Sequence, residues 1–304
     1  MSAAPVALVG VTASGKSALA MAAARRLGRL ELVSVDSMQV YRGMDIGAAK
    51  PTAAERAEVP HHLLDLADPG EEFSVTRFRD AGRAALADIS ARGVRALLVG
   101  GTGLYLRALI DPLDIPPRFP DVAAELAGVA DTAELHARLS RLDPAAAAKM
   151  NPANRRRVIR ALEVTLGAGR PFSSFGPGLD QYPPTPVRLL GVRLPRAVID
   201  QRIAARYQAQ LAEGFLGEVE RLAAAPGGLS RTAAQALGYK ELLAHLERRC
   251  SLEEAVELAS ARTRRFARRQ ERWLRRDPRI RWLDAGQDPL DVLDELLGAL
   301  CASV

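Results

Sequence analysis

The 304-residue chain is predicted to fold as an α/β protein, a parallel β-sheet flanked by helices, with a helical insertion domain. Three observations predict this. Residues 10–17 read GVTASGKS, a full match to G-x-x-x-x-G-K-[ST] between an apolar run at 6–9 and an Ala-rich helical segment. That strand–loop–helix context is the opening of a P-loop NTPase-like sheet. Short continuous apolar runs then alternate with helical stretches, the pattern of strands covered on both faces by helices. Two proline-rich stretches, 111–120 and 170–186, bracket a region of helical pattern without a strand signal, which reads as an insertion. The expected division is a core of residues 1–111 and 186–304, ending in a basic helical segment, around an insertion at 112–185.

In chain order, the strand at 6–9 delivers the loop at 10–17. Gly10 and Gly15 let the backbone turn its N–H groups inward, with Val11, Thr12, Ala13 and Ser14 completing the curve. Lys16 adds a mobile cation, Ser17 a hydroxyl able to hold Mg²⁺, and the following helix aims its positive end at an anion. A diphosphate or triphosphate is therefore the expected ligand. The run ELVSVD (31–36) ends on Asp36, and RALLVG (95–100) runs into GGTGLYLRAL (100–109), whose glycines permit close backbone approach and whose Thr102 offers a hydroxyl. Further strands are expected at 187–194 and 280–284. Because ligands gather at the carboxyl ends of parallel strands, the loop at 10–17, Asp36 and Thr102 are expected to converge. An isolated Asp at a strand end is often a turn former. Opposite a phosphate loop it becomes a candidate base or Mg²⁺ partner.

Composition narrows the class. The chain is 48% hydrophobic, 26% charged and only 5% aromatic, so its core is mostly Ala, Leu and Val. No run of eighteen apolar residues predicts a membrane span, and the first strand begins too early for a leader, so a cytoplasmic location is expected. Cys250 and Cys301 lie outside C-x-x-C spacing, which points to neither zinc nor a disulfide framework. Adjacent His61 and His62 are poorly placed for joint ligation and are expected as loop or helix-terminus hydrogen bonders.

The net charge of +6 is unevenly distributed. Between 262 and 279 nine arginines face two acids, Glu271 and Asp277. If helical, Arg264, Arg268, Arg272 and Arg276 form one i, i+4 row, widened by Arg265 and Arg269 and anchored by Phe266 and Trp273. Arg155, Arg156, Arg157 and Arg160 form a second cluster. Beside a phosphate loop, the two clusters point to a polyanionic partner.

The motifs GVTASGKS, DSMQVYRGMDIGAAKP (36–51), HHLLD (61–65), LVGGTGLYLRAL (98–109), DPAAAAKMNPANRRRVIRALEV (143–164), RIAARY (202–207), QALGYKE (235–241) and RRFARRQERWL (264–274) follow one another along nearly the whole chain. In this order they resemble the bacterial tRNA dimethylallyltransferases, or tRNA isopentenyltransferases. The resemblance implies transfer of a dimethylallyl group from its diphosphate to N6 of the adenosine 3′ of the tRNA anticodon, with loss of pyrophosphate. It implies Asp36 as general base, Thr12, Lys16 and Arg206 on the diphosphate, and Mg²⁺ at Ser17, with Asp36 as the candidate second ligand. It further implies tRNA contacts from Asp36, Ser37, Met38, Gln39 and Thr102, and a grip on the anticodon arm by Arg155, Arg156, Arg157, Arg160, Arg268 and Arg272. A monomer is the expected state. Val11 stands where the family usually has proline, Ser17 where threonine is commoner, and Asn154 and Arg156 where aspartate and glutamine are usual. A basic residue expected after GGTGLYLRAL is replaced by Ala123, with Arg118 nearby. The rival reading is a small-molecule or nucleotide kinase on the same loop, with Asp36 orienting an acceptor hydroxyl; the arginine helix has no evident task there. A non-enzymatic RNA-binding module is the third reading, set against the intact Lys16, Ser17 and Asp36.

Overall fold

The computed structural model describes residues 4–176 and 178–302, which form two compact units, one of residues 4–110 and 184–302 and one of residues 111–183. The first is built on a parallel sheet in which six strands are described: β1 (Val6–Val9), β2 (Leu30–Val35), β3 (His61–His62), β4 (Arg95–Gly100), β5 (Arg188–Arg193) and β6 (Ile280–Asp284). Their order is β3-β2-β4-β1-β5-β6. All residues of β1 and β2 are buried, Glu31 and Ser34 of β2 included, as in parallel strands covered by helical layers on both faces. The chain first winds from β1 outward to β2 and β3, returns to insert β4, then crosses to β5. The direction of winding therefore reverses between β4 and β1, and a crevice opens there at the carboxyl ends.

The helices of this unit are α1 (Lys16–Leu27), α2 (Ala53–Glu58), α3 (Val75–Ala91) and α4 (Gly103–Ile110) before the insertion. The strands and α1 fall where the apolar runs predict them. β3 does not: the two histidines sit on an edge strand parallel to β2, rather than in a loop or helix end. His61 Nδ1 lies 2.7 Å from the Val59 carbonyl and His62 Nε2 2.7 Å from Glu31. Alternation along a strand turns adjacent side chains to opposite faces, so the pair makes separate contacts.

The second unit contains α5 (Pro120–Gly128), α6 (Thr132–Leu142), α7 (Pro144–Ala148) and α8 (Arg155–Ala168) around its own core of Leu126, Leu135, Leu139, Ala147, Val158, Ala161 and Leu162. Asp143 closes α6 and caps α7, accepting from the Ala146 N–H, and also takes the Ser173 N–H and hydroxyl. Gly167 is required because the Phe119 ring occupies the place a Cβ would take, 2.2 Å away.

After the insertion the first unit resumes with α9 (Arg196–Ala212), α10 (Phe215–Ala224), α11 (Tyr239–Leu246), α12 (Leu252–Leu274) and α13 (Leu293–Cys301). α12 starts at a reciprocal cap between Ser251 and Glu254, which satisfies N–H groups that a helix start leaves free. It ends at Leu274, so Arg276 lies beyond the helix and does not extend the row of Arg264, Arg268 and Arg272.

Candidate active site

Three strand ends meet at the reversal point. The Gly10 N–H donates to the Gly100 carbonyl at 3.3 Å and the Thr102 N–H to the Val35 carbonyl at 3.4 Å. A Cβ on Gly100 would sit 2.0 Å from the Val35 oxygen, so glycine here lets the ends of β2 and β4 approach. The Ser37 N–H then reaches the Thr102 hydroxyl at 3.3 Å, and Asp36 accepts the Met38 N–H at 2.8 Å through one carboxylate oxygen. That bond orients Asp36 toward the crevice.

The phosphate loop is curled by positive φ at Ala13 and Gly15. Gly15 precedes α1 without any side-chain cap, so the first-turn N–H groups remain to receive an anion. The Lys16 ammonium donates to the Val11 carbonyl at 3.3 Å, folded over the loop. Burial lowers its pKa to about 8; nearby Asp36 opposes this shift and Arg206 reinforces it. Arg206, from α9, donates to the Thr12 hydroxyl at 3.2 Å and to the Gly47 carbonyl at 3.3 Å. Residues almost two hundred positions apart thus meet directly beside the loop. The Ser14 hydroxyl is buried and has no hydrogen-bond partner among the described residues.

Several residues hold the site through contacts that the sequence did not reveal. Buried Glu218 accepts the N–H groups of Asp45, Ile46 and Gly47 at 2.9, 2.7 and 3.1 Å, and the Tyr239 hydroxyl at 2.6 Å. Burial, together with the adjoining carboxylate, raises the Tyr239 pKa, so its proton stays on the phenol and its donation is preserved. Glu218 therefore holds the loop whose Gly47 carbonyl receives Arg206. A lone glutamate in an amphipathic helix gives no sign of this. Gln270, on α12, accepts the Thr12 N–H at 2.9 Å and donates to the Gly101 carbonyl at 3.0 Å. Gln39, expected to face a base, spends its amide internally: Oε1 takes the Ser34 hydroxyl, and Nε2 meets the Ala48 and Ala49 carbonyls.

The strand ends, the phosphate loop and α9 enclose a cavity of about 550 Å³. Thr12, Lys16, Ser17, Asp36, Thr102 and Arg206 supply its polar side; Met21, Leu32, Met38, Val99, Ile203 and Phe266 supply apolar surface. Among the described residues no group of three or more His, Cys, Asp or Glu side chains could enclose a metal. Ser17 and Asp36 are hard oxygen donors lining this cavity, and this sparse set fits Mg²⁺, which commonly takes one or two protein ligands and completes its shell with phosphate oxygens and water.

The arginine clusters divide by what they touch. On α12, Arg265, Arg268, Arg269 and Arg272 are exposed, and among the described residues no carboxylate pairs with Arg265, Arg268 or Arg272. Arg269 lies over the Phe266 ring, 5.7 Å from its centroid, at the cavity edge. The rest of the segment is less free than its composition implied: Arg262 pairs with Glu241, Arg275 with Glu271 and Arg279 with Asp277. Trp273 packs on Gly103, where a Cβ would lie 2.0 Å from the indole, seating α12 on the start of α4. In the second unit, Arg155 donates to the Ala127, Val129 and Ala130 carbonyls, and Arg160 to Glu163 and the Pro116 carbonyl. Arg156 and Arg157 remain exposed.

Residues 39–277 match the IPP transferase family. The chain is 48% identical to the tRNA dimethylallyltransferase of Kineococcus radiotolerans, over 97% of this chain and 96% of that one. Among solved structures, the full-length tRNA isopentenylpyrophosphate transferase of Bacillus halodurans superposes with a TM-score of 0.69 at 37% identity, covering 97% of this chain and 96% of its own. A eukaryotic dimethylallyltransferase acting on tRNA superposes with a TM-score of 0.77 at 27% identity, covering 93% and 74%.

Proposed function

The chain belongs to the IPP transferase family, and from that premise we propose how its site works. The protein is an enzyme of tRNA modification: it transfers a dimethylallyl group from dimethylallyl diphosphate to N6 of the adenosine immediately 3′ of the anticodon and releases pyrophosphate. The observation that carries the reading is the meeting of Lys16, the Arg206–Thr12 pair and Asp36 in one cavity.

The diphosphate lies in the loop from Gly10 to Ser17, with Lys16 and Arg206 on its oxygens. Mg²⁺ held at Ser17, with Asp36 near, would add positive charge to the leaving group. As the bond from the allylic carbon to the diphosphate oxygen breaks, its electron pair leaves with pyrophosphate, where the loop N–H groups, the ammonium and the guanidinium are already aimed. The amine N6 supplies the electrons of the new C–N bond, and its proton passes to the Asp36 carboxylate. Met38, Val99 and Phe266 give the allyl group a dry wall that keeps water from the carbon. An adenosine stacked in a loop cannot reach such a cavity, so it enters flipped out. Ser37 and Thr102 stand where the base enters. The exposed arginines of α12, with Arg156 and Arg157, hold the anticodon arm.

The chain acts as a monomer in the cytoplasm in this reading; among the described residues no helix is long and apolar enough to cross a membrane. Incubation with unmodified tRNA and dimethylallyl diphosphate, beside a reaction with ATP, tests the proposal. Prenylated adenosine is expected; release of ADP with no prenylation would return the site to a kinase.

A further inference from the structure

The geometry points to a task for Gln270 that its place in an arginine run conceals. We propose that Gln270 is a positioning residue that fixes the phosphate loop against the turn facing the nucleophile, and so sets the separation of leaving group and base. This rests on the prenyl-transfer reading above.

The amide is used at both ends. Its oxygen takes the Thr12 N–H at 2.9 Å and its nitrogen gives a proton to the Gly101 carbonyl at 3.0 Å. A backbone N–H requires an acceptor and a carbonyl requires a donor, so the amide has one workable orientation. The neighbouring side chains on α12 could not replace it: an arginine has no acceptor for Thr12, and an ionised glutamate has no donor for Gly101. Space is equally restricted, since a Cβ on Gly101 would lie 2.5 Å from the Gln270 nitrogen and 2.7 Å from the Gly10 carbonyl oxygen.

What the amide joins gives the bridge its meaning. Thr12 is the residue whose hydroxyl receives Arg206, on the side that holds the diphosphate. Gly101 adjoins Thr102, whose hydroxyl receives the N–H beside Asp36. One side chain therefore spans the two halves of the reaction. Each half keeps its own bonds without it: the loop is still closed by the Ser14 N–H to the Val11 carbonyl, and the side of Asp36 by the Thr102 N–H to the Val35 carbonyl, while the Gly10 N–H to the Gly100 carbonyl still joins the two where the strands end. Removal of Gln270 should leave both substrates bound and let their relative placement drift. A displacement of about 1 Å at reacting atoms costs on the order of a hundredfold in rate, and such a deficit falls on kcat rather than on KM.

The test uses the full chain with unmodified tRNA and dimethylallyl diphosphate in single turnover. Gln270→Met keeps the length and volume and removes both hydrogen bonds. Its rate at saturating substrates should fall roughly ten- to a hundredfold, while its affinities for inorganic pyrophosphate and tRNA stay within about threefold. Gln270→Glu, which keeps an acceptor for Thr12 and loses the donor to Gly101, is the second variant and should show the same split. A wild-type rate in either folded variant overturns the proposal, as does a deficit abolished by more substrate. Absence of prenylation by the unaltered chain would instead refute the prenyl-transfer reading, so the two failures are distinguishable.

Discussion

At the scale of the residue, Lys16 is the group whose charge is most contested. Folded, it gives up its proton near pH 8, because burial removes the water that would stabilise the ammonium. Unfolded, it keeps that proton to the ordinary lysine value of 10.5. Between these limits the unfolded chain binds more protons, so the Lys16 contribution to stability rises with pH. Measured as the difference in Tm between wild type and Lys16→Met, wild type should gain between pH 8 and 10. Pyrophosphate affinity should do the opposite and weaken above about pH 8 as the ammonium is lost. Asp36 tests the chemistry separately. Asp36→Ala should lower the single-turnover rate by about two orders of magnitude or more, with tRNA affinity changed by a few-fold at most; near-normal turnover would remove it as the base. Glu218 is the contrasting case, a buried carboxylate that touches no substrate. Glu218→Ala leaves three backbone N–H groups and a phenol without their acceptor, and should cost about 3–5 kcal/mol in urea denaturation.

At the scale of the element, α12 and α8 both carry runs of arginine, yet they use them differently. Arg268 and Arg272 lie exposed one turn apart with no carboxylate partner among the described residues, the arrangement that releases counterions when it meets phosphates. Changing both to Ala should weaken tRNA binding similarly across substrate sequences and flatten the slope of log affinity against log salt by about one unit for each phosphate no longer neutralised. An unchanged slope would assign this face to solvent. On α8, Arg155 bonds the last carbonyls of α5 and the turn after it. Arg155→Ala should therefore lower the stability of the second unit by about 1–2 kcal/mol, whereas Arg156→Ala with Arg157→Ala should reduce tRNA affinity and leave Tm unchanged. The sequence could not separate these arginines, because spacing tells which side chains share a helix face but not which carbonyls a neighbouring helix presents. The same limit explains β3: two histidines after a proline carry no apolar run, and only the open edge of β2 makes them a strand. By contrast β1, β2, β4, β5 and β6 were legible because each carries a short run dominated by apolar residues, as strands packed between helices must, even though β6 at the sheet edge exposes Arg281 and Asp284. Asp36, Lys16 and Arg206 were legible through motifs, while Gln270, although inside the motif at 264–274, and Glu218 act by bonding backbone, a task that residue type and spacing do not reveal.

At the scale of the whole molecule, the site draws on segments from both ends of the first unit: the loop after β1, the turn after β4, α9 and α12. A ligand that bridges them should stabilise the fold as a unit. Pyrophosphate with Mg²⁺ at a hundredfold excess over its Kd should add about 2.7 kcal/mol, read as a rise in Tm that Lys16→Met and Arg206→Ala each diminish. The strand order also explains why motifs distant in sequence could be read together, since inserting β4 between β1 and β2 makes their three ends neighbours. The chain leaves the first unit after Ile110 and re-enters it at residue 184, and the Thr185 hydroxyl donates to the Ile110 carbonyl at 3.4 Å. The two cut ends are thus already in touch, and a few flexible residues could join them. The second unit is in that sense a detachable module: excising residues 111–183 and splicing Ile110 to Pro184 through a short Gly-Ser bridge should yield a smaller protein that still melts cooperatively and binds pyrophosphate. Failure of that spliced chain to fold would mean that the modularity is geometric only.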